Sequence, residues 1–210
     1  VRQYAANPAL PGGETREAVK GIALGEYARL LDSPLNLVRN PSFEQGDALP
    51  EGWPGGAEGE RPAGTTMGLA TPGLFGQHCL RMVIPAESKR AWTGWRQDVP
   101  VLPEKSYLFA AWLKCADLAG SLQLHAHYRN AQGDLCKDLQ FTSAGPAISG
   151  TTDWTLISGV FTMPPDIGTF QLHLTMLATG TAQHDGVILA EVSSARLGAL
   201  QARMPATVSG

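Results

Sequence analysis

The chain has 210 residues, 43% of them hydrophobic and 17% charged, with 24 glycines, 15 prolines and a net charge of −3 at neutral pH. That length holds one large domain, or one domain with an appendage, and the turn-rich apolar composition excludes a disordered chain. The mildly acidic balance leaves no basic footprint for nucleic acid, and there is no apolar run of about eighteen residues to cross a membrane.

Residues 1–13 read as an irregular lead-in without a basic-then-apolar leader, so a secretion signal is expected to be absent, removed or part of a longer parent protein. Residues 15–32 form a predicted amphipathic helix. Thr15 suits the N-cap, Glu17 lies in the first turn, and Val19, Ile22, Ala23, Tyr27, Leu30 and Leu31 recur at helical spacing. Ser33-Pro34 ends it. Such a helix must bury its stripe on the β region or on a neighbour, and it reads as a linker or the tail of an upstream domain.

From Leu35 onward the pattern changes to short strands, expected at 36–39, 66–70, 78–84, 92–100, 106–115, 121–129, 135–141, 154–163, 169–177 and 186–194. Short strands with frequent turn signals predict an all-β chain, an antiparallel β-sandwich or jelly roll, preceded by one N-terminal helix. The expected organisation is a helical tail over 1–35, a sandwich over 36–195 and a C-terminal tail over 196–210. Cys79, Cys115 and Cys136 show no metal spacing. Cys115 and Cys136 could pair, but small buried thiols are the simpler reading.

The stretch 107–129 reads as a hairpin of two alternating strands. Tyr107, Phe109, Ala111 and Leu113 share one face against Trp112 and Lys114; Leu122, Leu124, Ala126 and Tyr128 share one against Gln123, His125, His127 and Arg129. The segment at 170–176 alternates likewise, with Gln171 and His173 on its polar side. If these strands share a sheet, one side is core and the other collects imidazoles, amides, cations and an indole, with no carboxylate.

Five pieces of the chain resemble the jelly-roll carbohydrate-binding modules, the superfamily that includes module families four, nine, sixteen and twenty-two. They are NLVRNPSFEQGDALPEGW from Asn36, HCLRMVI at 78–84, WTGWRQDVPVLPEKSYLFAAWLK at 92–114, WTLISGVFTMP at 154–164 and VILAEVSS at 187–194. The resemblance implies a saccharide laid across a concave sheet, with Trp92, Trp95, Trp112, Lys114, Gln123, His125, His127, Arg129, Gln171 and His173 as candidate contacts. It also implies a structural calcium with Glu44 as a ligand. The closing aspartate of the pattern is Ala190 here, followed by Glu191, so Glu191, Asp47, Asp185 and backbone carbonyls stand as the other candidate oxygen ligands.

The expectation is therefore a non-catalytic carbohydrate-binding module, carried with an upstream catalytic domain on a secreted or cell-surface bacterial protein. Its partner is a poly- or oligosaccharide, an acidic one if Lys114 and Arg129 meet it. Two alternatives stand beside this reading. One is a jelly-roll polysaccharide lyase with a His base and Arg or Gln at the uronate, which lacks an acid if Tyr128 faces the core. The other is a purely structural accessory sandwich. The three histidines also permit a metal, with His125 and His127 as same-face neighbours across from His173.

Overall fold

The computed structural model describes residues 24–25, 27–57, 60–139 and 142–192. Its strands are β1 (Gly55–Ala57), β2 (Thr66–Ala70), β3 (Cys79–Ile84), β4 (Thr93–Pro100), β5 (Ser106–Asn130), β6 (Thr142–Ser143), β7 (Ile148–Thr162) and β8 (Ile167–Glu191). Every pairing among them is antiparallel.

Two strands organise the molecule. β5 and β8, each 25 residues long, pair along almost their whole length, from Tyr107 opposite Glu191 to Asn130 opposite Ile167. Their outer edges take different partners in each half. The N-terminal half of β5 pairs β7, and the C-terminal half of β8 pairs β3, which pairs β2. The other halves pair β6 and β4, and β4 carries β1. The result is a nearly closed antiparallel sheet folded over into two layers. The front layer runs β1-β4-β8-β5-β6 and the back layer β2-β3-β8-β5-β7.

The crossing occurs where the β5–β8 register slips between Ala116 and Ala119. Asp117 has φ 50°, Gly120 φ 132° and Gly180 φ 113°, conformations that turn a strand sharply. Two-residue alternation then does the rest. Phe109 and Phe161 from the back layer meet Phe170 from the front, with ring centroids 6.3 and 5.3 Å from it. Leu122, Leu124, Leu172, Leu174 and Met176 are buried around them.

The predicted hairpin at 107–129 is thus a single bent strand. Its two halves alternate as expected but lie in different layers, because a chain leaving one sheet at a bend can enter the facing sheet without reversing. The expected strands at 169–177 and 186–194 likewise fuse into β8. Residues 36–39 form no strand; the Asn36 amide donates to the carbonyls of Leu31 and Val187 and accepts from Leu189 N–H, tying the segment to β8. Over 135–141 the described structure is a 3-10 turn at Lys137–Leu139.

The end of the predicted helix is present over 27–31; residues 15–23 lie outside the described region. Leu31 is buried with Ala110, Ile188 and Ala190 on the outer face of the back layer, joined by Tyr27, Leu30 and Phe75. The Tyr27 hydroxyl donates to the Gly186 carbonyl at 2.6 Å. Phe43 and Trp53 fill the core edge, their rings 5.5 Å apart, while Trp154 is only half-buried. Cys79, Cys115 and Cys136 are all free thiols.

Candidate functional site

The outward side chains of the front layer fall into rows set by strand register. Arg96, His173 and His125 form one row, and Asp98, Gln171 and His127 form the next. Thr175, beside Gly94, and Trp92 flank the first row, and Arg129 flanks the second. These residues line a groove, with Pro54, Gly56 and Ala57 at its edge.

The imidazoles are crowded. His125 and His173 stack with centroids 4.7 Å apart and planes 12° apart, while His127 lies 4.2 Å from His173 and 5.4 Å from His125. The Trp92 ring meets His125 edge-on at 5.6 Å. Hydrogen bonds hold this arrangement. Thr175 Oγ1 lies 3.0 Å from His125 Nδ1, and Gln171 Oε1 lies 3.0 Å from His173 Nε2. The same amide donates through Nε2 to Asp98 Oδ1 at 2.7 Å, and Arg129 donates to Gln171 Oε1 at 3.4 Å and to the Gly133 carbonyl at 2.9 Å.

Burial disfavours a charged imidazole, so the His125 pKa falls to about 4, with the neighbouring His127 adding to the effect. For His173 burial again comes first, then His125, His127, Arg96 and Arg129, and its pKa falls to about 3. Near neutrality both rings are uncharged hydrogen-bonding groups, and the positive charge of the groove comes from its guanidinium groups.

Of the ten sequence-predicted contacts, Trp92, His125, His127, Arg129, Gln171 and His173 share this groove. Gln123 is on the same face, with its amide donating to Ser121 Oγ at 3.1 Å, outside the groove lining. The other three lie elsewhere. Trp112 and Lys114 precede the bend in β5, so their outward direction is that of the back layer. Trp112 is fully buried there, edge-on to Tyr27 at 5.9 Å and Phe75 at 6.3 Å, and Lys114 pairs with Asp153 at 3.2 Å. Trp95 points inward from β4 and is 1% exposed, with its ring 6.0 Å from His184 in the core; only its edge reaches the groove wall.

The face expected to lack acids does carry Asp98. Neither Asp98 nor Arg96 is among the sequence-predicted contacts, although the alternation of β4 places both outward together. Tyr128 is buried against Phe170 at 5.2 Å, on the core side as expected. Among the described residues no tyrosine lies on the groove face. Two further ionisable groups are buried away from the groove. His184, against Trp95, has a pKa lowered to about 3 by burial. Asp185, beneath Tyr27, is raised to about 7 by burial, which outweighs hydrogen bonds from the Phe75, Leu74 and Gly186 amides.

Glu44 and Glu191 do not come together. Glu44 accepts the Gln77 and His78 amides, at 2.8 Å for His78. Leu80 pairs His184, so the register carried on sets His78 near Gly186, about 15 Å along the strand from Glu191. Glu191 itself pairs with Lys105 at 3.6 Å. One calcium ion, with oxygens about 2.3–2.6 Å away, cannot take both carboxylates. The pair does not fit a shared calcium site.

No family model matches the chain, and no curated protein does. Solved structures do. The enzymatically active domain of bacteriophage CBA120 tailspike protein 4 superposes with a TM-score of 0.58 at 17% identity, covering 75% of this chain and 22% of that one. The CBM22-1 xylan-binding domain of Paenibacillus barcinonensis Xyn10C superposes with a TM-score of 0.54 at 19% identity, covering 73% of this chain and 92% of that domain. TmCBM61, solved with β-1,4-galactotriose, superposes with a TM-score of 0.50 at 13% identity over 75% of this chain and 99% of its own. The chain shares its β-sandwich fold with these carbohydrate-binding modules and with part of the tailspike domain. The chain thus spans nearly a whole module of that kind and about a fifth of the tailspike domain.

Proposed function

We propose that the chain is a non-catalytic carbohydrate-binding module of a larger, secreted polysaccharide-processing protein, and that it holds an oligosaccharide in the front-layer groove. The observation that carries this reading is the grouping of Trp92, three imidazoles, Gln171 and two arginines on one outer face. An indole offers an apolar surface to a sugar ring, while imidazoles and amides both donate to and accept from hydroxyls. Arg96 and Arg129 favour a glycan bearing carboxylates, since a guanidinium pairs a carboxylate through two parallel bonds. Asp98 offsets one of the two charges and is itself engaged by Gln171. The shared fold with modules described as xylan-binding and galactotriose-bound supports the same class of ligand.

A lyase needs a proton donor for the leaving sugar. Tyr128, the phenol considered for that role, is in the core. Affinity electrophoresis of the chain in gels containing xylan, glucuronoxylan, galactan or polygalacturonate tests the reading, with ultraviolet absorbance of unsaturated uronates followed in parallel. Retardation without new absorbance is expected, strongest in the acidic gels, and His173→Ala is expected to abolish it. Absorbance growth would establish a lyase instead. Equal mobility in all four gels would sink the binding-module reading.

A further inference from the structure

The three histidines converge more closely than contact with a sugar requires. His125, His127 and His173 each offer one ring nitrogen, and these three atoms all lie within 4.8 Å of one another. Around tetrahedral zinc, nitrogens at about 2.0–2.1 Å sit about 3.3 Å apart. Coordination therefore requires rotation about χ1 and χ2 that also turns the stacked His125 and His173 rings, whose planes lie 12° apart, toward one point.

The surrounding hydrogen bonds favour coordination. Asp98 accepts from Gln171 Nε2, which turns Gln171 Oε1 toward His173. An oxygen at that position must receive a hydrogen, so His173 carries its proton on Nε2 and presents Nδ1 as the unprotonated nitrogen. Donation of Nδ1–H to Thr175 Oγ1 likewise lets His125 present Nε2. A ligating histidine usually donates its other ring N–H to an oxygen acceptor that fixes its tautomer and orientation, and Gln171 and Thr175 offer such oxygens here.

We propose that His125, His127 and His173 form a binding site for a zinc-class divalent transition-metal ion, with the remaining coordination position open to the groove. The donor set is all imidazole nitrogen, which suits zinc, copper or nickel and disfavours calcium and magnesium, which take oxygen ligands. Arg96 and Arg129 oppose a dication and Asp98 attracts one, so metal–nitrogen bonding rather than net charge holds the ion. The ion site rests on these ring positions and their hydrogen bonds, independently of the glycan reading.

The full chain is stripped with chelator, dialysed against zinc chloride and assayed for retained metal; cobalt substitution then reports geometry through visible absorption. One zinc per chain is expected, with a raised Tm and the intense visible bands of tetrahedral cobalt. Each of His125→Ala, His127→Ala and His173→Ala is expected to weaken zinc binding by about 100-fold or more, and Gln171→Ala by about 10- to 100-fold. Calcium and magnesium are expected to give no Tm shift. Far-ultraviolet circular dichroism of each variant separates lost ligation from lost folding. Zinc retained equally by the three folded alanine variants, or no stoichiometric zinc on the unaltered chain, would overturn the proposal.

Discussion

Trp92 and Trp112 lie twenty positions apart in the sequence and on opposite outer faces of the sandwich. Trp92 borders the open groove beside His125, whereas Trp112 is sealed between the back layer and the helix end, against Tyr27 and Phe75. Truncating a fully buried tryptophan removes its transfer energy and leaves a cavity, so Trp112→Ala is expected to cost about 3–5 kcal/mol. It should leave glycan retardation intact at temperatures where the variant is folded. Trp92→Ala is expected to do the reverse, weakening retardation with a small effect on the urea midpoint. A Trp92→Ala chain that migrates like the unaltered one in every glycan gel would remove the indole from the site. The same distinction separates Trp95 from Trp92: one faces into the sandwich from β4, the other sits just before that strand begins.

Among elements, the bends in β5 and β8 decide which side chains meet. At Gly120 an added Cβ would sit 2.3 Å from the Leu177 carbonyl oxygen, and at Gly180 2.5 Å from that of Asp117. Both glycines also hold φ values that side-chain-bearing residues rarely adopt. Backbone, not a flexible side chain, blocks the space, so relief requires opening the bend. Gly120→Ala and Gly180→Ala are each expected to destabilise the fold by at least about 1–3 kcal/mol, the scale of backbone strain alone. Gly133→Ala is a suitable contrast, because its φ is also positive at 88° but nothing lies within 4 Å of the added carbon. Urea midpoints for the three variants measure the difference; equal losses at all three would mean that conformation, and not the close approach, governs the bend.

For the molecule as a whole, buried ionisable groups set the response to acid. His125, His173 and His184 have folded pKa values of about 4, 3 and 3, below the ordinary 6.5. The unfolded chain therefore binds protons on these rings as pH falls through 6.5 while the folded chain does not, and stability drops. Asp185 acts with the opposite sign. Its folded value of about 7 exceeds the ordinary 3.8, so its contribution is present at low pH and fades as pH rises through 7. Three groups against one leave a net loss on acidification, at most about 2 kcal/mol between pH 6.5 and 5.5 once the partial exposure of His173 is allowed for. The urea midpoint is expected to fall over that interval, and less steeply in His184→Leu. A midpoint that rises would show that Asp185 dominates.

Residue order by itself determined the two-faced strands, the core position of Tyr128 and the polar crowd at His125, His127, Arg129, Gln171 and His173. These follow from two-residue alternation, a local property that survives any error about where a strand goes next. The module-like motifs also carried the all-β sandwich. Tertiary structure alone decided that 107–129 is one bent strand instead of a hairpin, which moved Trp112 and Lys114 to the far layer. It also brought Arg96 and Asp98 from β4 beside His173 and Gln171, separated Glu44 from Glu191, and buried His184 and Asp185. The reason is physical: alternation states which residues share a side of one strand, whereas which sides of different strands coincide depends on bends and register. Those are set by contacts between residues far apart in the chain, such as Gly120 against Leu177 and His125 opposite His173.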